Sequence, residues 1–109
     1  MEKRIETGWL LDFYGPLITE RQREMLRLYF EEDLSLAEIA RQEGVSRQAV
    51  HDAIRRGDTQ LRGYEEQLGL LRRFRRLYDA LRQCQCAESM QDLRDTLARL
   101  AEEEGLDGL

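Results

Sequence analysis

Residues 35–57 read Ser-Leu-Ala-Glu-Ile-Ala-Arg-Gln-Glu-Gly-Val-Ser-Arg-Gln-Ala-Val-His-Asp-Ala-Ile-Arg-Arg-Gly, and this stretch decides the fold. It spells two short helices joined at a turn. Ser35 is placed to cap the first helix, and Glu38 three residues on completes a capping box. That helix is expected to run to about Gln42. Gly44 sits where the chain must reverse and tolerates the positive φ such a turn needs. Ser46 caps the second helix. Leu36, Ile39 and Ala40 form one inner face, Val45 packs from the turn, and Ala49, Val50, Ala53 and Ile54 follow at helical spacing. Ala40 is small where the helices approach. The pattern predicts a helix-turn-helix.

The residues left pointing outward carry the functional expectation. Arg47, Gln48, His51, Asp52 and Arg55 lie on the face that enters the major groove of duplex DNA in such a motif. Arginine can bond guanine through two donors, and glutamine can pair with adenine. Arg41 and Arg56 suit phosphate, which positions a protein without specifying sequence. With the capping Ser46, the candidate DNA-contacting set is Arg41, Ser46, Arg47, Gln48, His51, Asp52, Arg55 and Arg56.

The chain has 109 residues and a net charge of −5. That acidity argues against a strong nonspecific nucleic-acid binder. Its distribution is uneven. Residues 1–34 carry −3, 35–62 carry +1, 63–87 carry +2 and 88–109 carry −5. Positive charge therefore collects in the middle, as a local binding face would require. No apolar run approaches the roughly 20 residues of a membrane span. The N-terminus lacks the apolar core of a signal peptide, so a cytoplasmic location is expected.

Upstream of the motif, residues 5–14 predict a helix with Ile5, Trp9 and Phe13 on one face and Leu10 and Tyr14 beside it. Gly15-Pro16 ends it. Thr19 and Gln22 form a second capping box, opening a helix with Met25, Leu26, Leu28, Tyr29 and Phe30 on its apolar side. These aromatics suit a core better than a base-stacking platform. Downstream, a long helical stretch is expected from about Asp58. Leu61, Tyr64, Leu68, Leu71, Phe74, Tyr78 and Leu81 recur at spacings of three and four, a heptad-like seam widened by Leu70 and Leu77. Gly69 either ends a helix or weakens it. The seam either folds back on the first domain or pairs with a second copy, and its length favours a homodimer. A last helix starts near Ser89, with Asp92 as its capping pair and Met90, Leu93, Leu97 and Leu100 inside. Its acidic C-terminal end opposes the helix dipole and is expected to fray, with residues 105–109 loose.

Beside the seam lie Arg72, Arg73, Arg75 and Arg76, a candidate RNA or phosphate patch. The weightier reading is that they flank an apolar stripe and pair with Glu65, Glu66, Asp79 or the acidic tail. If residues 88–109 cover this face, they compete with nucleic acid for it.

Nothing points to catalysis. The carboxylates lie on exposed helix faces, no glycine-rich phosphate loop appears, and His51 and Asp52 are sequence neighbours that do not face each other on a helix. No catalytic residue, metal site or cofactor is expected. Cys84 and Cys86 have the wrong spacing for a bridge on a helix, and one histidine cannot complete a zinc site.

Three blocks of sequence carry a family resemblance: WLLDFYGPLITERQ at 9–22, YFEEDLSLAEIA at 29–40 and GVSRQAV at 44–50. They resemble the YlxM family of small bacterial proteins, whose helix-turn-helix is similar to region 4 of sigma factors. The resemblance is dense from residue 9 to about 70 and rests on helicity and length beyond. It implies an all-α fold. Residues 1–68 would form a helix-turn-helix domain of about four helices. Residues 69–109 would form a C-terminal helical extension that packs on it or makes a dimer interface. It implies a DNA-binding regulatory protein associated with the signal recognition particle pathway. The alternative is an accessory protein that binds the particle's protein or RNA instead of DNA. Position 51 is often aromatic in the family; His51 makes that contact smaller and more polar.

Overall fold

The computed structural model describes residues 2–105. Six helices and no strand occur among the described residues. They are α1 (Lys3–Tyr14), α2 (Glu20–Phe30), α3 (Leu36–Glu43), α4 (Arg47–Leu68), α5 (Leu70–Gln85) and α6 (Met90–Glu103). A single 3₁₀ turn, Gly15–Leu17, follows α1, with proline early in it where the missing N–H costs nothing. The chain is thus an all-α helix-turn-helix protein, as its caps predicted.

Local chemistry sets the boundaries. Thr19 and Gln22 form the capping box of α2: the Thr19 hydroxyl accepts from the Gln22 amide, and Gln22 Oε1 accepts from the Thr19 amide, both at 3.1 Å. Gly69 ends α4 at φ 65°, with its N–H donating to the Glu65 carbonyl. This is the left-handed stop that glycine adopts at least cost. Ser89 Oγ accepts from the Asp92 amide and opens α6.

Two compact units divide the chain, Met1–Leu71 and Arg72–Leu109. In the first, α4 packs on α1, α2 and α3. Its core holds Leu10, Tyr14, Met25, Leu26, Ile39, Val50, Leu61 and Leu71. Deleting one such leucine side chain costs about 2–5 kcal/mol in a close-packed interior.

Two expectations are corrected in the first unit. The inner face of α1 is Thr7, Leu10, Leu11 and Tyr14, spaced by three and four, while Ile5 is 48% exposed and Trp9 and Phe13 sit at the rim. Small Thr7 fits beneath α4, where its hydroxyl accepts from Arg62 at 3.4 Å. Second, α4 runs unbroken through Gly57 and Asp58 as one helix of 22 residues. Gly57 lies against α2; a Cβ there would stand 2.7 Å from Leu26 Cδ1. The glycine lets two helices approach and does not end one. Of the two readings of Gly69, the helix end holds. Gly69 divides the seam, leaving Leu61 and Leu71 in the first core and Phe74, Tyr78 and Leu81 exposed on α5.

The second unit is an antiparallel hairpin of α5 and α6. The start of α5 faces the end of α6 through Arg73–Glu104, and its far end faces the middle of α6 through Gln83–Arg99. Thr96 is the buried member of α6, with Leu93 and Leu100 half-buried beside it. The predicted inner residues Met90 and Leu97 are instead 64% and 50% exposed. A small Thr96 bonded to its own helix, Oγ1 to the Asp92 carbonyl at 2.9 Å, permits this rotation. The expected fraying of residues 105–109 falls almost wholly outside the described residues. Cys84 and Cys86 are free thiols. No helix among the described residues is long and apolar enough to cross a membrane.

Candidate nucleic-acid interface

The helix-turn-helix of α3 and α4 is built by three local devices. In the first, Ser35 Oγ accepts from the Glu38 amide at 3.1 Å, while Glu38 Oε1 accepts from the Ser35 amide at 3.2 Å. The backbone N–H and the hydroxyl of Ser35 hold the Glu38 carboxyl below the usual carboxylate range. In the second, Gly44 stands at φ 68°, and a Cβ there would meet no atom within 4 Å, so conformation and not crowding requires glycine. In the third, Ser46 Oγ accepts from the Ala49 amide at 3.0 Å and starts α4. Ile39 and Val50 are fully buried between the helices, with Ala40 and Ile54 nearly so.

This packing turns the other face of α4 outward. Arg47, Gln48, His51, Arg55 and Arg56 are exposed, as are Ser46 at the cap and Arg41 in the last turn of α3. Asp52 is half-buried. Arg47, Gln48 and His51 line one shallow depression with Leu36. Arg55 and Arg56 line a second with Thr59 and Gln60, one turn further along the same helix. Reading a change of character at residue 58 hides Thr59 and Gln60 in the sequence. Their spacing of four from Arg55 and Arg56 is the signal that places them on this face.

Gln48 Nε2 donates to Asp52 Oδ1 at 3.0 Å. One amide hydrogen and Oε1 of Gln48 stay directed away from that bond, the donor and acceptor pair that adenine takes. His51 Nδ1 lies 3.9 Å from Asp52 Oδ1, beyond hydrogen-bond distance.

The arginines of α5 have different surroundings. Arg73 Nε meets Glu104 Oε2 at 3.0 Å, and Arg76 meets Glu104 Oε1 at 3.0 Å and Glu103 Oε2 at 3.7 Å. The Glu104 side chain is only 5% exposed between them. Arg73 and Arg76 are thus engaged by the end of α6, within the hairpin. Arg72, Arg73 and Arg75 are all exposed on α5, and Arg76 is half-buried.

Residues 1–100 match the family described as "Putative helix-turn-helix protein, YlxM / p13 like". A UPF0122 protein of Symbiobacterium thermophilum is 50% identical over 97 residues, covering 86% of this chain and 91% of its own. A second, from Halalkalibacterium halodurans, is 41% identical over 102 residues and covers 94% of both chains. A third, from Clostridium botulinum, is 52% identical over 73 residues, 67% of each. With its caps, its turn glycine and its buried Ile39–Val50 contact in place, the chain belongs to this YlxM/p13-like helix-turn-helix family, UPF0122.

Proposed function

We propose that this protein is a regulator that binds duplex DNA, inserting the first half of α4 into the major groove. The observation that carries this is the outward face of α4. Arg47, Gln48 and His51 share one depression there, and Arg55 and Arg56 share the next. Arg47 and Gln48 read base edges, while Arg41, Arg55 and Arg56 meet phosphates. Asp52 orients Gln48, and Ser46 presents the start of the helix. A second copy of the chain would offer a second α4 to the same duplex.

The second reading, favoured by the net charge of −5, makes the helix-turn-helix a retained scaffold. The protein then acts in the signal recognition particle pathway as an accessory that binds the particle's protein or RNA. Arg72, Arg73, Arg75 and Arg76 on α5 would be its contact with RNA phosphate.

Binding of the purified chain to random duplex DNA and to the particle's RNA, across a salt series, separates the two. Duplex binding with a preferred sequence, lost in Arg47→Ala, supports the regulator. RNA binding without duplex binding, lost when Arg72, Arg73, Arg75 and Arg76 become alanine, supports the accessory role.

A further inference from the structure

Among the outward side chains of α4, Asp52 has the wrong charge for a duplex surface. It is a carboxylate on the face that carries Arg47, Gln48, His51, Arg55 and Arg56, and the phosphates flanking a groove repel it. It is half-buried and sits one turn beyond Gln48 on the same helix. There it meets Gln48, whose Nε2 donates to Asp52 Oδ1 at 3.0 Å. His51 Nδ1 stays 3.9 Å from the same oxygen, too far to take that place.

The chemistry of that bond fixes what Gln48 can offer a base. An amide side chain can turn over and exchange its oxygen and nitrogen ends. A carboxylate only accepts, so it holds the nitrogen end and occupies one of its two N–H groups. What remains to Gln48 is one N–H donor and one carbonyl acceptor in a rigid plane. Adenine presents the complement in the major groove, an N6 donor beside an N7 acceptor. Guanine presents two acceptors, O6 and N7. A free glutamine can meet guanine by giving both N–H groups to that edge. With one N–H already engaged, guanine sets an acceptor against the Gln48 carbonyl and leaves polar groups unpaired in a desolvated groove.

We propose, resting on the duplex-binding reading above, that Asp52 is a specificity residue: by engaging Gln48 it restricts the base opposite that side chain to adenine and rejects guanine. Asp52 acts through Gln48, as a positioning residue. Its own negative charge lowers affinity for duplex of any sequence. Affinity and discrimination are thus set against each other at one side chain. Were the pair only to stabilise the helix, as residues four apart can do, its loss would leave base preference unchanged.

The test is selection of preferred sites from a random duplex library by the full chain, then titration of the selected site and its single-base variants at constant salt. Gln48→Ala marks the position that Gln48 reads, as the one whose preference it erases. Wild type should favour adenine over guanine there by on the order of tenfold. Asp52→Ala should cut that ratio at least about five-fold while binding random duplex more tightly. Asp52→Glu keeps an acceptor within reach of Gln48 and should keep the ratio. Helicity by circular dichroism should be unchanged in both variants. Asp52→Ala that retains the adenine preference overturns the proposal and leaves duplex binding standing. So does guanine, or no preference, at the Gln48 position, and so does Asp52→Glu losing the ratio as fully as Asp52→Ala. A wild-type chain that binds no duplex overturns both readings together.

Discussion

The hydroxyl of Tyr14 donates to Glu65 Oε1 at 2.7 Å and accepts from the amide of Leu70 at 3.0 Å. The same Glu65 oxygen accepts from the amide of Leu71 at 2.9 Å. A fully buried tyrosine at the end of α1 and a carboxylate in the last turn of α4 thereby satisfy two N–H groups that open α5. No capping serine or threonine is needed there, because the donors are met from outside the local sequence. Tyr14→Phe keeps the packing and loses the acceptor for Leu70. A drop of about 1–2 kcal/mol in unfolding free energy is expected by chemical denaturation.

Gly57 and Gly63 lie in the same helix and should respond oppositely to alanine. At Gly57 the new Cβ would stand 2.7 Å from Leu26 Cδ1 and 3.3 Å from Gln22 Cβ. Leu26 is fully buried and has little room to yield. The overpacking cost of about 1–3 kcal/mol exceeds the helix gain of about 1 kcal/mol. At Gly63 nothing lies within 4 Å, so only the gain remains. Thermal unfolding should show Gly57→Ala destabilised and Gly63→Ala stabilised.

Stability should fall in acid. Arg27 holds the Glu24 carboxyl low through its hydrogen bond, as Ser35 holds Glu38. A carboxyl lowered by folding contributes above its ordinary value of 4.5 and loses that contribution as the pH falls through its folded value. Glu38→Gln keeps an acceptor for the Ser35 amide without titrating. Its melting temperature should therefore decline less than wild type between about pH 5 and pH 3, measured by calorimetry.

The two classes of α4 contact should separate in salt. Arg56→Ala should weaken duplex binding evenly across sequences and reduce the salt slope by about one. Arg47→Ala should relax preference at one base position instead. Equal behaviour of the two variants in a fluorescence titration would contradict the division of roles along α4.

Glu104 holds Arg73 and Arg76 from a nearly buried position. Glu104→Ala removes the partner that Arg73 and Arg76 share; both arginines reach solvent, so the cost should be only about 0–1 kcal/mol. It should also raise RNA affinity at low salt if those arginines are a phosphate patch closed by α6; unchanged affinity would leave them a structural clasp.

The sequence by itself determined the helix-turn-helix. Ser35, Glu38, Gly44 and Ser46 act within four residues of the groups they satisfy, so their pattern and their geometry agree. The same holds for the Thr19–Gln22 box and for the outward direction of Arg47, Gln48 and His51, which follows once Val50 and Ile54 face inward. Tertiary structure decided what depends on distant partners. Trp9 and Phe13 are more apolar than Thr7, yet Thr7 is inside because α4 passes close and Arg62 reaches its hydroxyl. Gly57 has no role that the sequence alone reveals, and only Leu26 from another helix explains it. Gly69 could end a helix or merely weaken it by sequence; its left-handed conformation decides for the end. Helical spacing states which residues share a stripe; only packing states which stripe the core takes.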